Sequence, residues 1–303
     1  MKKLLLILVV ALSLTACAPA KQYTFTWLAP KGAPAVSLIP IFQSDLNDSI
    51  ELVDGTDVIS AALIQGDKDL IVAPINLGSK LIQSGDANYK LLAVVTWGNL
   101  YIVKDEAVPF TDTMDLAMFG SKAVPELVLN KVSDTLSFTF TKVPFNSVAD
   151  VKGQLVAKTY ALGLLAEPVA TATIAAAKAQ GTTLSVVADL QAAWKTNTGF
   201  DNYPQAAIFV KADLNAAQIK QIKERITLMV DYIASVDADK TVVETDISTL
   251  TPEALGVPSA AIVKLTWDRL NVDVQYASNK KDEIDAFLTL FSLTLDSDNI
   301  ISK

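Results

Sequence analysis

Short, nearly unbroken apolar runs alternate along this chain with segments whose apolar residues recur every three or four positions. Beyond residue 20 the first run, residues 23–28, is β-prone and ends at Ala29-Pro30-Lys31-Gly32. Residues 33–43 follow as a predicted helix, with Pro34 near its start, where the missing N–H costs nothing, and Pro40 as an awkward interior residue. A strand, a helix entered through Thr56 or Asp57, and a second strand are expected at Ser49–Val53, Thr56–Gln65 and residues 69–72. Residues 91–96 give a further apolar strand. Strands that read as continuous apolar stretches are buried on both faces, and intervening helices are what a largely parallel sheet needs to cover them. The fold class is therefore α/β.

The alternation resumes with different spacing. Strand positions at 116–119, 137–140, 154–160 and 183–187 are interleaved with predicted helices at 123–132 and 166–179. The change of spacing points to two lobes rather than one extended sheet. A strand at 206–210 precedes residues 215–235, where Ile219, Ile222, Ile226, Met229, Val230 and Ile233 give a long helix with one apolar face. A strand at Val272–Tyr276 and an amphipathic helix at 281–289, carrying Ile284, Phe287 and Leu288, complete the pattern.

The chain starts differently. Met1-Lys2-Lys3 leads into an apolar run beginning at Leu4 and ending at Leu14-Thr15-Ala16-Cys17, so a basic flank, an apolar core and a small residue precede the cysteine, as in a secretory signal. The run is too short to be a permanent bilayer-spanning helix. Leu14-Thr15-Ala16-Cys17 resembles the lipobox of bacterial lipoproteins. That resemblance implies a signal peptide at 1–16, acylation of Cys17, a lipidated tether at 17–22, and a protein held on the extracytoplasmic face of the cell membrane. Several acyl chains give stable attachment where a single chain binds reversibly. The alternative is an ordinary secretory signal with a chance cysteine.

Composition removes whole classes of chemistry. There are 25 basic and 33 acidic side chains, a formal charge of −8, and two of the basic residues belong to the leader, so no nucleic-acid footprint exists. Histidine is absent and Cys17 is the single cysteine. Serine-histidine triads, Cys/His zinc sites and disulfides are excluded, and so is thiol catalysis once Cys17 is acylated. No HExxH, EF-hand or phosphate-loop pattern occurs. No catalytic residue, cofactor or metal site is predicted.

Five segments in order carry a resemblance: Thr56-Asp57-Val58-Ile59-Ser60-Ala61-Ala62-Leu63-Ile64-Gln65-Gly66, Asp69-Leu70-Ile71-Val72-Ala73-Pro74, Lys90-Leu91-Leu92-Ala93-Val94-Val95-Thr96-Trp97-Gly98-Asn99, Tyr160-Ala161-Leu162-Gly163-Leu164-Leu165-Ala166-Glu167-Pro168 and Tyr203-Pro204-Gln205-Ala206-Ala207-Ile208-Phe209-Val210. Together they resemble the ABC-transporter solute-binding proteins of the nitrate, taurine, sulfonate and thiamine-precursor group, which have the type II periplasmic-binding-protein fold. The resemblance implies two lobes with two parallel-rich sheets, joined by two crossover segments placed at 100–103 and 206–209. One lobe is then residues 23–99 with 207–303, the other 100–206. It also implies a non-enzymatic, monomeric receptor. Such a receptor captures a small polar or planar organic solute and delivers it to an ABC permease with separate ATPase subunits. A lipid-anchored sensory or adhesion module of the same fold is the alternative. A pyrimidine-synthase-like enzyme would need histidine or cysteine chemistry that the chain lacks. No motif singles out taurine, nitrate or a pyrimidine.

Loops at the carboxyl ends of parallel strands gather side chains at one sheet edge, and this rule selects the candidate ligand contacts. Lys31, after the first strand, is an anion contact or a solvent-facing lysine. Asn76 orients a polar ligand or caps its own loop. Trp97 stacks on a planar solute or is a structural tryptophan, and Thr96 and Asn99 flank it with polar groups. Across the gap, Ser121 caps a helix beside free backbone donors, while Tyr160 and Glu167 face the cleft, the latter accepting from an amine or serving as a cap. Tyr203 makes contact as the lobes close. Arg269 pairs with an anionic ligand group or with its neighbour Asp268.

Overall fold

The computed structural model describes residues 21–303. The predicted signal segment, Cys17 and the tether as far as residue 20 lie outside the described residues. The first stretch holds β1 (Thr26–Pro30), α1 (Ala33–Ser37), α2 (Ile39–Phe42), β2 (Ser49–Val53), α3 (Thr56–Gln65), β3 (Leu70–Pro74), α4 (Ile75–Gln83) and β4 (Tyr89–Trp97). The second holds β5 (Leu100–Asp105), β6 (Met114–Phe119), α5 (Val124–Val132), β7 (Phe140–Phe145), α6 (Val148–Val156), β8 (Leu162–Ala166), α7 (Val169–Ala179), β9 (Leu184–Asp189) and α8 (Leu190–Thr198). The third holds β10 (Pro204–Lys211), α9 (Ala216–Ala238), α10 (Thr241–Leu250), α11 (Pro252–Leu255), α12 (Ala260–Leu270), β11 (Val272–Tyr276) and α13 (Lys281–Leu288).

The strands make two sheets, ordered β11-β4-β10-β3-β1-β2 and β7-β6-β8-β5-β9, so the fold is α/β and two-lobed. Both sheets are mixed, which corrects the parallel-rich expectation. β10 is antiparallel to β3 and β4, β11 is antiparallel to β4, and β5 is antiparallel to β8 and β9. The reason is the chain path. β5 and β10 each enter a sheet from the other lobe and run against the neighbouring strands of that sheet's βα units. The segments expected as crossovers, 100–103 and 206–209, lie inside β5 and β10, and the chain changes sheet at Gly98-Asn99 and again between α8 and β10.

Local chemistry explains where elements differ from the sequence pattern. The helix expected at 33–43 divides at Leu38, because Pro40 has no N–H to continue the ladder and instead sits in the first turn of α2. Residues 154–160, read as a strand position, contain the end of α6. This helix starts with a capping box in which the Ser147 hydroxyl accepts from Asp150 N (3.1 Å) and the Asp150 carboxylate accepts from Ser147 N (2.9 Å). The strand expected at 137–140 lies at Phe140–Phe145. In α9, Ile222, Ile226, Met229 and Ile233 are buried as the periodicity predicts, whereas Val230 is exposed. No helix among the described residues is long and apolar enough to cross a membrane.

The six-stranded sheet is covered on both faces, since alternate residues of β10 enter two different cores. Ala207 and Phe209 join a cluster that continues into the second lobe through Ile102, Leu164 and Trp194. Ala206, Ile208 and Val210 join a cluster under α1, α9 and α12. In the first cluster α13 inserts Phe287 against both Trp194 (centroids 6.2 Å) and Tyr203 (5.9 Å), so an aromatic group backs the junction of the lobes. That junction also depends on Gly98. A Cβ there would stand 2.3 Å from the Tyr203 ring, while Gly98 N donates to the Tyr203 carbonyl at 2.9 Å.

Candidate functional site between the lobes

The carboxyl ends of β1, β3 and β4 face those of β6 and β8 across a cavity of about 490 Å³. Pro30, Pro74, Thr96, Phe119 and Ala166, at or beside those strand ends, all line it. Both lobes therefore present to one space the sheet edge at which α/β proteins collect ligand-contacting groups. The walls are mostly apolar, with Phe119, Val124, Val148 and Val169 on the second-lobe side.

Four of the predicted contacts line this cavity: Lys31, Thr96, Asn99 and Glu167. Lys31 is committed to an ion pair with Asp54 at 2.7 Å. Glu167 is deeply buried and accepts from Thr171 N (3.1 Å) and Thr171 Oγ1 (2.9 Å) in the first turn of α7. It also pairs with Arg269 Nη2 at 2.8 Å. Asn99 is 5% exposed, and its Nδ2 donates to the Glu167 carbonyl at 3.0 Å. A carbonyl only accepts, so this bond fixes the amide's orientation and turns Oδ1 the other way. Asn99 Oδ1 is buried without a partner among the described residues.

Arg269 stands just outside the cavity wall. It projects from the last turn of α12 in the first lobe to Glu167 and the Thr171 hydroxyl in the second. Its guanidinium carbon lies 5.7 Å from the centroid of the Tyr101 ring. Burial, followed by the charges of Asp189 and Glu167, pushes the Tyr101 phenol up to about 12, so it stays protonated at neutral pH. Asp268, the expected surface partner of Arg269, pairs with Lys240 instead.

Asn76, Trp97, Ser121, Tyr160 and Tyr203 are placed elsewhere, and each has a geometric reason. Asn76 lies in the first turn of α4, with its Oδ1 buried and unpartnered among the described residues, but it is not part of the cavity wall. Trp97 follows Thr96 on β4 and so faces the opposite side of the sheet, where its indole donates to the Asp273 carbonyl at 3.0 Å. There it borders a separate polar hollow of about 400 Å³ with Asp201, Asn271 and Asp273. The strand-end rule and the contribution of both lobes favour the interlobe cavity over that hollow as the ligand site. Ser121 is exposed and donates to Glu126 at 3.2 Å, within the turn that opens α5. The Glu126 carboxyl is held below the usual range by hydrogen bonds from Lys142 and from Lys122 N. Tyr160 precedes β8 and therefore lies at its amino end, edge-on to Phe145 at 5.6 Å. Tyr203 is fully buried and donates to Gln191 Oε1 at 2.8 Å, and burial drives its phenol well above the ordinary tyrosine range.

The apolar wall and Gln205 were not anticipated. Phe119 ends β6 just before Gly120, and Val148 follows the cap residue Ser147, so the same strand-end rule applied to apolar as well as polar residues selects them. Among the described residues no group of three or more His, Cys, Asp or Glu is placed to hold a metal ion.

No protein-family model matches the chain, and no curated protein sequence is similar to it. Solved structures are similar in fold. An ABC transporter structure from Parabacteroides distasonis shares 18% identity over 92% of this chain and 99% of that chain, with a TM-score of 0.76. The zinc-bound ligand-binding component of an ABC-type import system from Staphylococcus aureus shares 15% identity over 93% and 97%, TM-score 0.62. The periplasmic aliphatic sulphonate binding protein of Escherichia coli shares 13% over 93% of each chain, TM-score 0.64. The likeness runs through both lobes, and the chain has the two-lobed α/β architecture of the type II periplasmic-binding proteins.

Proposed function

We propose that this chain is an extracytoplasmic solute receptor of an ABC importer. It captures a small organic molecule between two lobes, residues 23–99 with 207–303 and residues 100–206, and delivers it without chemical change to a permease driven by separate ATPase subunits. The observation that carries this reading is the interlobe cavity. Strand ends of both lobes wall it, and Thr96, Asn99 and Glu167 stand among its lining residues. A ligand touching both walls binds the closed arrangement better than the open one and shifts the population toward it, which gives a permease a signal of occupancy. The lack of histidine and of a free thiol after acylation supports binding without turnover. Membrane attachment through acylated Cys17 keeps the receptor beside its permease.

The test is purification of the full-length chain from its own host. Mass spectrometry of the intact protein reads the acyl addition at Cys17, and extraction releases any retained solute. The released compound is then titrated back while small-angle scattering follows the shape. The expected outcome is one solute per protein, recovered unchanged, with compaction on binding. Conversion of the solute, or tight binding with no change of shape, would sink the proposal.

A further inference from the structure

We infer that Gln205 and Thr96 are the pair that selects the solute, and that they read a carboxamide-type group, in which a hydrogen-bond donor and an acceptor sit side by side. This rests on the receptor reading above and specifies its ligand class.

Most polar residues on the cavity wall have nothing left to offer a ligand. Lys31 and Asp54 pair with each other at 2.7 Å. The wholly buried Glu167 carboxylate is neutralised by Arg269 at 2.8 Å and also accepts from Thr171 N and Oγ1. Asn99 donates from Nδ2 to the Glu167 carbonyl at 3.0 Å, and its Oδ1 is sealed off by its neighbours.

Thr96 and Gln205 differ. Thr96 lines the cavity with only 2% of its surface exposed, and its hydroxyl is neither hydrogen-bonded within the described residues nor among their sealed, unpartnered atoms. What surface it keeps therefore opens on the cavity. The Gln205 amide, also on the wall, is likewise unsealed. On its inner side it reaches the buried Tyr203 hydroxyl, where a hydrogen bond from it opposes the upward push of burial on that phenol. That contact takes one of its two N–H donors, so the other N–H and the carbonyl oxygen remain.

The backbone explains why the two stand together. Pro204 pairs with Trp97 and Ala206 with Thr96, so Gln205 is an extra residue on β10 that has no partner on β4. Such a bulge bends the strand and re-aims the side chain it carries, and this one lies where the chain re-enters the six-stranded sheet beside the cavity. Neighbouring strands are about 5 Å apart, so the hydroxyl and the amide can grip one ligand group together.

Both side chains offer a donor and an acceptor. A solute group that only accepts, or only donates, leaves part of that capacity unpaired inside a mostly apolar cavity, which weakens binding. A carboxamide, lactam or urea edge satisfies it reciprocally: its N–H donates to the Gln205 oxygen, and its carbonyl accepts from the Gln205 N–H or the Thr96 hydroxyl. The rest of the solute is apolar, because Phe119, Val124, Val148 and Val169 form the second-lobe wall. The volume of about 490 Å³ falls in the range of clefts that enclose small organic ligands.

The experiment uses the full-length chain carrying Cys17→Ser, so that no acyl chain or detergent competes for the apolar wall. Calorimetry compares benzamide with acetophenone, which has the same ring and carbonyl but a methyl in place of the amino group, and with acetamide, which lacks the apolar body. Benzamide is expected to bind about tenfold or more tightly than either. Gln205→Leu, similar in size but without the amide, should bring the benzamide-to-acetophenone preference down to about one, and Thr96→Val should weaken benzamide about tenfold. The ratio cancels any general loss of closure, and thermal melting verifies that each variant is folded. The solute extracted from the protein purified from its own host is identified in parallel and titrated against the same variants. Acetophenone binding as tightly as benzamide, an unchanged preference in Gln205→Leu, or unchanged benzamide affinity in Thr96→Val overturns the inference and leaves the receptor reading intact. Should no probe bind, the extracted solute decides. An amide-type group whose affinity falls about tenfold in Gln205→Leu upholds the inference, and a solute without such a group, or with unchanged affinity, overturns it. Failure of every probe together with an empty extract overturns the receptor reading itself.

Discussion

Thr96 and Trp97 are neighbours at the end of β4, and the pleat sends them to opposite faces: Thr96 lines the cleft, while Trp97 enters the core with its indole tied to the Asp273 carbonyl. Their expected places at strand ends and beside a crossover, together with aromatic character, nominated Trp97, Tyr160 and Tyr203 as ligand contacts. All three instead pack against the chain itself, Tyr203 between Trp194 and Phe287. Residue type marked these side chains as consequential, but only the face and the strand direction decide what they touch. Trp97→Ala should therefore destabilise the fold by about 3–5 kcal/mol, the cost of truncating a large buried aromatic side chain. Affinity for the cleft solute should stay the same. Denaturant unfolding and calorimetry on one preparation separate the two effects, and a large loss of affinity at unchanged stability would return Trp97 to the binding site.

At the scale of elements, the segments visible in the sequence were those with a strong period or a clear cap. Ser49–Val53, Thr56–Gln65 and Val272–Tyr276 lie where the pattern puts them, and α9 shows its apolar stripe. By contrast β5, a fully buried strand, was read as a connection, because apolar content identifies a buried segment without saying which sheet receives it. Long-range polar contacts were equally invisible. Arg225 sits on the buried face of α9, and its partner Asp48 is 177 positions away. Their side chains are both wholly buried, joined by Nη2–Oδ1 and Nε–Oδ2 contacts of 2.9 Å, and Asp48 also accepts from Phe25 N and Trp27 Nε1 at 3.0 Å. This network fastens β1 to the long helix. Arg225→Leu should cost about 3–5 kcal/mol, because it strands a buried carboxylate. Adding Asp48→Asn should recover part of that loss. Thermal melts of the two variants test the network, and equal melting of Arg225→Leu and the parent chain would show that the pair contributes nothing.

On the scale of the whole molecule, the lobes are joined by their two chain crossings, by the shared core, and by the Arg269–Glu167 contact, which reaches from one lobe to the other. Arg269, on α12 of the first lobe, reaches Glu167 and Thr171 on the second, while the Tyr101 hydroxyl of the second lobe donates weakly to the Arg269 carbonyl at 3.4 Å. None of these partners lies near Arg269 in sequence, which is why the chain alone suggested an anionic ligand group or the neighbouring Asp268. The Arg269 side chain is 41% exposed, so solvent screens the pair, yet Glu167 is wholly buried and has no other charged partner among the described residues. Removing the arginine should weaken the closed arrangement by about 1–2 kcal/mol. That shifts the balance between open and closed forms by about five- to thirtyfold. Ligand affinity falls in proportion to the closed fraction, and so by at most that factor, since only the closed form gives the solute both walls. Arg269→Gln should therefore enlarge the radius of gyration of the solute-free protein, weaken solute binding, and leave the solute-saturated shape unchanged. Scattering with and without the solute extracted from the native protein measures all three. If Arg269→Gln were as compact as the parent and bound equally well, the contact would be an incidental surface pair and closure would rest on the solute alone.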